Sequence, residues 1–139
     1  MDLDALETSF DLVAPRGDEL VTLFYTRLFE TAPAVKPLFA STDMLRQKTM
    51  LLSALVLLRK SLRDIDSIVP TLKRMGARHV GYGAAPAHYP VVGEVLIASM
   101  AEIAGDDWRD DYTVAWASAY GLVAETMIEG ADCAEALAA

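Results

Sequence analysis

Apolar residues recur at three- and four-residue intervals along nearly the whole chain, and no convincing stretch alternates with a period of two. That pattern specifies amphipathic helices and offers little from which to build a sheet. Leu20, Leu23, Phe24 and Leu28 belong to one apolar set. Gln47, Leu51, Leu55, Leu58 and Leu62 lie along a second stripe, and Ile68, Leu72, Met75 and His79 along a third. Breaks fall at Pro15, at Pro33, at Ser41–Thr42–Asp43, at Asp64 and Asp66, around Gly81, Gly83 and Pro86, and at Gly105. They predict helices over about 3–14, 17–31, 44–62, 67–82, 87–104 and 108–128, with a short helical turn from Pro33 to Phe39. Asp18 is expected to cap the second helix, Asp43 or its neighbours the third, and Gly130 to stop the last.

The 139 residues suit one domain, read here as 1–130 with a frayed tail over 131–139. At 53% hydrophobic the chain has ample material for a core, and the excess fits either a ligand pocket or alanine-rich helices. A net charge of −8 argues against a nucleic-acid partner, which needs clustered Lys and Arg. The first twenty residues carry six acids, Asp2, Asp4, Glu7 and Asp11 among them, and no basic start before an apolar run, unlike a secretory signal. Met50 to Leu58 is too short to span a bilayer, which takes about 20 residues. Cys133 is the single cysteine, so no internal disulfide forms. These features fit a reduced, cytoplasmic setting without a membrane partner.

His79 ends an otherwise apolar helix face, where an imidazole nitrogen suits haem iron and the other ring nitrogen reaches the Met75 carbonyl one turn back. Taken alone it reads more readily as a hydrogen-bonded structural histidine. Tyr25 and Gln47 carry groups that donate hydrogen bonds to a diatomic ligand bearing partial negative charge. Phe39 offers a flat surface to a macrocycle, and Leu51 limits the volume above a metal. Each has an ordinary reading beside this: Tyr25 as a core aromatic, Gln47 as a solvated helix residue, Phe39 as a core plug. No zincin, redox-dithiol, nucleophile-elbow or nucleotide-loop motif is present. The acids at Asp106, Asp107, Asp110 and Asp111 lack the spacing of a calcium loop and read as the start of a helix.

Several motifs converge. Leu23–Phe24–Tyr25–Thr26–Arg27–Leu28–Phe29, Ala32–Pro33 and Pro37–Leu38–Phe39 resemble the second and third helices of bacterial single-domain haemoglobins and flavohaemoglobins. Asp43–Met44, Gln47 and Leu51 are similar to the start of their distal helix. Arg78–His79–Val80–Gly81–Tyr82–Gly83, followed by Pro86 and His88–Tyr89–Pro90–Val91–Val92–Gly93, is the most specific match, and Trp116, Ala119, Tyr120 and Gly121 match the final helix. The resemblance, shared with neuroglobin-like bacterial globins, covers residues 3 to 129.

It implies an all-α globin fold, six to eight helices around a haem pocket, with haem b as cofactor. His79 becomes the proximal iron ligand, and Tyr25, Gln47 and Leu51 the distal residues. Phe39, Met50, Met75, Tyr82, Tyr89 and Val92 become haem contacts. Two departures stand out. Relatives place a glutamate in the last helix that supports the proximal site through a tyrosine; here that position is Ala131, with Glu129 two residues earlier. Met50 occupies a place where relatives often have a basic residue near the haem propionates, for which Lys48 or Arg46 would substitute. The resemblance implies reversible, high-affinity binding of O₂, with CO and NO as further ligands, and NO dioxygenation if a separate reductase supplies electrons. The rival expectation is a gas-sensing or haem-less helical interaction module without catalysis.

Overall fold

The computed structural model describes the backbone of residues 1–138 and the side chains of residues 1–132. Cys133 and most of the expected tail therefore lie outside the described side chains, and residue 139 outside the described backbone. Among the described residues there are only helices and turns. They form α1 (Leu3–Val13), α2 (Gly17–Thr31), α3 (Met44–Ser61), α4 (Val69–Gly81), α5 (His88–Ala104) and α6 (Asp110–Ala138). Short 3₁₀ segments at Ala14–Arg16, Pro33–Phe39, Leu62–Ile68 and Gly105–Asp107 join four of these junctions.

Aspartate side chains cap the starts of α1 and α3. Asp2 accepts a hydrogen bond from the Ala5 amide at 3.0 Å, and Asp43 Oδ1 accepts from the amides of Leu45 and Arg46. Asp18 does not cap α2. The helix already begins at Gly17, and Asp18 sits in its first turn, where a carboxylate still complements the positive helix end. Trp108 precedes α6, and its indole N–H donates to Thr113 Oγ1 at 2.9 Å. The acids Asp110 and Asp111 do occupy the first turn of that helix.

Gly130 does not end α6, which continues to Ala138. A side chain at Gly130 would collide with the Lys73 backbone, and one at Gly76 with the Met127 carbonyl. Two glycines, one on each helix, thus let α4 and α6 approach backbone to backbone. That is the most extensive helix pairing in the fold. A glycine read as a stop is a packing residue here.

The core is one cluster that runs through α1, α2, α5 and α6, with Trp116, Leu6, Leu20 and Met100 essentially inaccessible. Trp116 satisfies its indole N–H on Ser9 Oγ at 2.8 Å, and Ser9 in turn donates to the Leu6 carbonyl. A buried polar pair of this kind is stable only when complete. Gly93 admits the Tyr120 ring against the α5 backbone.

α6 packs on α4, α1 and α5, and α5 carries α2. α3 is attached to α2, to α1 and to the 3₁₀ segment that follows it, while α3 and α4 scarcely touch. Their sequences explain the burial that results. α3 buries only Leu55 and Leu58 of its many apolar residues, and α4 only Leu72 and Gly76. Two helices rich in apolar side chains are thus left without each other as partners. No helix among the described residues is long and apolar enough to cross a membrane.

Candidate functional site

The two helices that fail to pair are the ones that carry Gln47 and His79. On α4, His79 Nδ1 lies 2.6 Å from the Met75 carbonyl oxygen, the contact that the spacing predicts. A carbonyl only accepts, so Nδ1 must carry the proton. The Nε2 lone pair is then left outward, and no hydrogen bond among the described residues uses it. The ring stands edge-on to Tyr82, with centroids 5.5 Å apart.

Tyr25 is buried on α2, and Gln47 Nε2 on α3 donates to its hydroxyl at 3.0 Å. The sequence expected two independent donors, whereas the geometry is a relay. Gln47 fills an acceptor position of the phenol oxygen and thereby leaves the Tyr25 O–H free to donate elsewhere. Burial pushes the Tyr25 pKa above its ordinary value, against a smaller opposing effect of the Gln47 hydrogen bond. The phenol therefore remains a neutral donor through the physiological range.

Phe39 and Phe29 frame this pair. Phe39 meets Tyr25 edge-on at 5.8 Å and Phe29 at 5.4 Å. Leu51, Met75, Tyr89 and Val92 are partly buried against the core, as is Phe39. Met50 is 50% exposed and Tyr82 57% exposed, so both look largely to solvent. Lys48 is half-buried and Arg46 exposed, on the same first turns of α3.

The proximal side differs from the arrangement that a glutamate in α6 would give. Ala131 lines a cavity of about 100 Å³ together with Tyr89, Gly76, Val80, Ile128 and Asp132. Glu129 instead reaches Lys73 at 3.9 Å in an exposed pair. Among the described residues no carboxylate hydrogen-bonds Tyr89, whose pKa is raised by burial. Tyr120, which the sequence marked only as part of a motif, donates its O–H to the Tyr89 carbonyl at 2.7 Å and ties α6 to the start of α5. No single-residue signal announces that bond; it depends on the α5–α6 crossing at Gly93. His88 is occupied locally, with Nδ1 accepting from the Ala85 amide at 3.0 Å. Among the described residues no group of three His, Cys, Asp or Glu side chains is placed to hold a metal ion by itself.

A globin family model matches residues 22–127. The chain belongs to the globin family. This globin is 34% identical to a flavohemoprotein of Chromobacterium violaceum over 125 residues, which is 88% of this chain and 31% of that protein. It spans about a third of the length of the curated relatives that it matches. Two solved structures share its fold. One is an engineered carbene transferase and nitric oxide dioxygenase candidate from Rhodothermus marinus, with TM-score 0.87, 24% identity and coverage of 97% of this chain and 94% of that one. The other is a bacterial globin from Campylobacter jejuni, with TM-score 0.81, 23% identity and 94% of each chain covered.

The residues present fit a flat, mostly apolar group that carries one nitrogen-seeking metal. The donor set holds a single imidazole with a free Nε2, partly buried apolar and aromatic side chains, and a buried phenol on a separate helix.

Proposed function

We propose that this globin binds haem b through His79 and holds O₂ reversibly and with high affinity, with CO and NO as further ligands. The observation that carries the reading is the pair of polar contacts on helices that do not pack together: His79 to the Met75 carbonyl, and Gln47 to Tyr25. The family match and the name of the flavohemoprotein relatives support haem as the group concerned. When bound, the haem supplies a ferrous iron with one position open to a diatomic ligand.

The chain's own residues set the rest. Donation from Nδ1 to the Met75 carbonyl fixes the tautomer and the ring plane of His79 and raises the basicity of Nε2. Tyr25 offers its O–H to the distal ligand, and Gln47 orients that O–H by occupying the opposite side of the oxygen. Phe39 packs against Tyr25 and holds the phenol in place. A charge-assisted hydrogen bond of this type is worth about 1.5–3 kcal/mol, or roughly tenfold to more than a hundredfold in ligand retention. With Ala131 beside Tyr89, His79 receives no carboxylate support through that residue. This favours ligand storage and release over peroxidase-like chemistry. Oxidation of NO to nitrate is the turnover best matched to such a site, and it requires electrons from a reductase module.

The test is the absorption spectrum of purified protein in ferric, ferrous and CO-bound forms. A Soret band that shifts with CO is expected. Colourless protein that does not take up added haemin would instead support a haem-less interaction module. A haem protein whose distal ligand is already a side chain in the ferrous state would favour a gas sensor over an O₂ carrier.

A further inference from the structure

The charge of this chain is divided unevenly. Residues 32–93 hold nine Lys and Arg against three Asp and Glu, a net of +6. The remaining residues hold three against seventeen, a net of −14. The basic part contains α3, α4 and the turns beside them. Two of its cations are already committed, Arg59 and Arg63 to the acids of α1, and Lys73 lies near Glu129. Among the described residues the other six, Lys36, Arg46, Lys48, Lys60, Arg74 and Arg78, have no carboxylate partner, and two of them share one helix face. These two, Arg74 and Arg78, are exposed and one turn apart on α4. Residues 67–93 contain no acid at all.

Tyr82 follows Arg78 by one more turn and is 57% exposed. Leu38 is 40% exposed and lies against Gly83, with Cδ2 3.0 Å from the point where a side chain there would begin. That contact brings the Pro33–Phe39 segment, with exposed Lys36, to the end of α4. Two exposed apolar side chains, Leu38 and Tyr82, thus lie at the end of α4, which also carries the exposed cations Arg74 and Arg78, with Lys36 on the adjoining segment. Arginine and tyrosine are, with tryptophan, enriched among the residues that carry binding energy at interfaces. The Tyr82 ring is also the one in edge contact with His79.

We propose that this patch docks the acidic surface of a one-electron donor protein; the proposal rests on the haem reading above. Charge complementarity selects the partner. The patch attracts a compact acidic protein, while the −14 carried elsewhere repels it from other faces and so fixes one orientation. A long nucleic-acid polyanion would meet that same repulsion along its length. A donor seated on Tyr82 stands one aromatic ring away from the His79 imidazole. The transfer moves one electron and no atom: the donor's flavin loses one electron and ferric iron becomes ferrous. Small, wet, electrostatically steered contacts are the usual form of redox encounters.

Purified bacterial flavodoxin, an acidic flavin protein, serves as the probe. Its oxidised form is titrated calorimetrically into the haem-loaded globin at about 20 mM and about 200 mM salt, a range over which exposed charges become screened. The expected result is a complex at low salt that weakens about tenfold or more at high salt, and by about tenfold in the Arg74→Glu/Arg78→Glu double variant. Arg109→Glu, outside the basic segment at the start of α6, should bind like the unaltered protein. Both variants should keep the unaltered CO-bound spectrum and the unaltered rate of reduction by dithionite. Absence of a low-salt complex, equal affinity of the double variant, or equal weakening by Arg109→Glu overturns the proposal. So does patch-dependent capture by phosphatidylglycerol vesicles with no flavodoxin complex. Failure to take up haemin sinks the haem reading separately, because docking of oxidised flavodoxin needs only the charges.

Discussion

Gln47 Nε2 donates to the Tyr25 hydroxyl at 3.0 Å, across the junction of α2 and α3. A phenol oxygen that accepts from one side directs its own O–H away to the other. The two residues should therefore act in series. Tyr25→Phe is expected to raise the O₂ dissociation rate by roughly tenfold to a hundredfold. Gln47→Leu should raise it less, and should add little in the Tyr25→Phe background. Stopped-flow O₂ release from the two single variants and the double gives the coupling directly. Fully additive effects would show two independent donors instead.

His79→Gly should give protein that folds but retains haem poorly, because the only free imidazole on the α3–α4 side is gone. Added imidazole should restore the Soret band by entering the space that the ring vacates. Retention of haem by His79→Gly without added imidazole would show that another residue ligates the metal.

The glycines of the α4–α6 crossing predict opposite outcomes in chemically identical substitutions. Gly76→Ala and Gly130→Ala place a methyl group into backbone atoms of the facing helix, which cannot turn aside. Each should cost about 1–3 kcal/mol or more of unfolding free energy. Gly121→Ala, on the exposed face of α6 with open space around it, should stabilise by about 0.5–1 kcal/mol through better helix propensity. Urea denaturation of the three variants checks the order.

Acid should loosen the attachment of α1. The Glu7 pKa lies below its ordinary 4.5, chiefly through the hydrogen bond from Arg63, and the Asp11 pKa below 3.8 through that from Arg59. A carboxylate whose folded pKa is depressed contributes stability that is present above its unfolded value and lost as pH falls through the folded one. Thermal midpoints should therefore be insensitive to these groups at neutral pH and fall below about pH 4.5. Glu7→Gln should flatten that fall while lowering the midpoint at pH 7. An unchanged acid limb in Glu7→Gln would place the acid sensitivity elsewhere.

The residues that end helices were legible because their chemistry is local: Pro15, Pro33, Asp43 and Gly105 punctuate the chain where the structure does. Gly130 misled for the same reason. Its role is set by Lys73, far away in sequence, and a glycine that clears space for a neighbour looks identical to one that ends a helix. At the site, the His79–Met75 contact was readable because it spans one helical turn. The direction of the Tyr25–Gln47 bond was not, since it depends on how two helices cross. Nor did the sequence place Tyr120 on the Tyr89 carbonyl or show that Met50 and Tyr82 are mostly exposed.

The helices that carry His79 and Gln47 are not equally fixed. α4 leans on α6 through close backbone approach at Gly76 and Gly130, one glycine from each helix. α3 has no such anchor and rests on its neighbours through side chains. Motion between α3 and α4 should therefore be one-sided, with the helix that carries His79 held in place and the helix that carries Gln47 the one that swings; faster amide exchange along α3 than along α4 would show it.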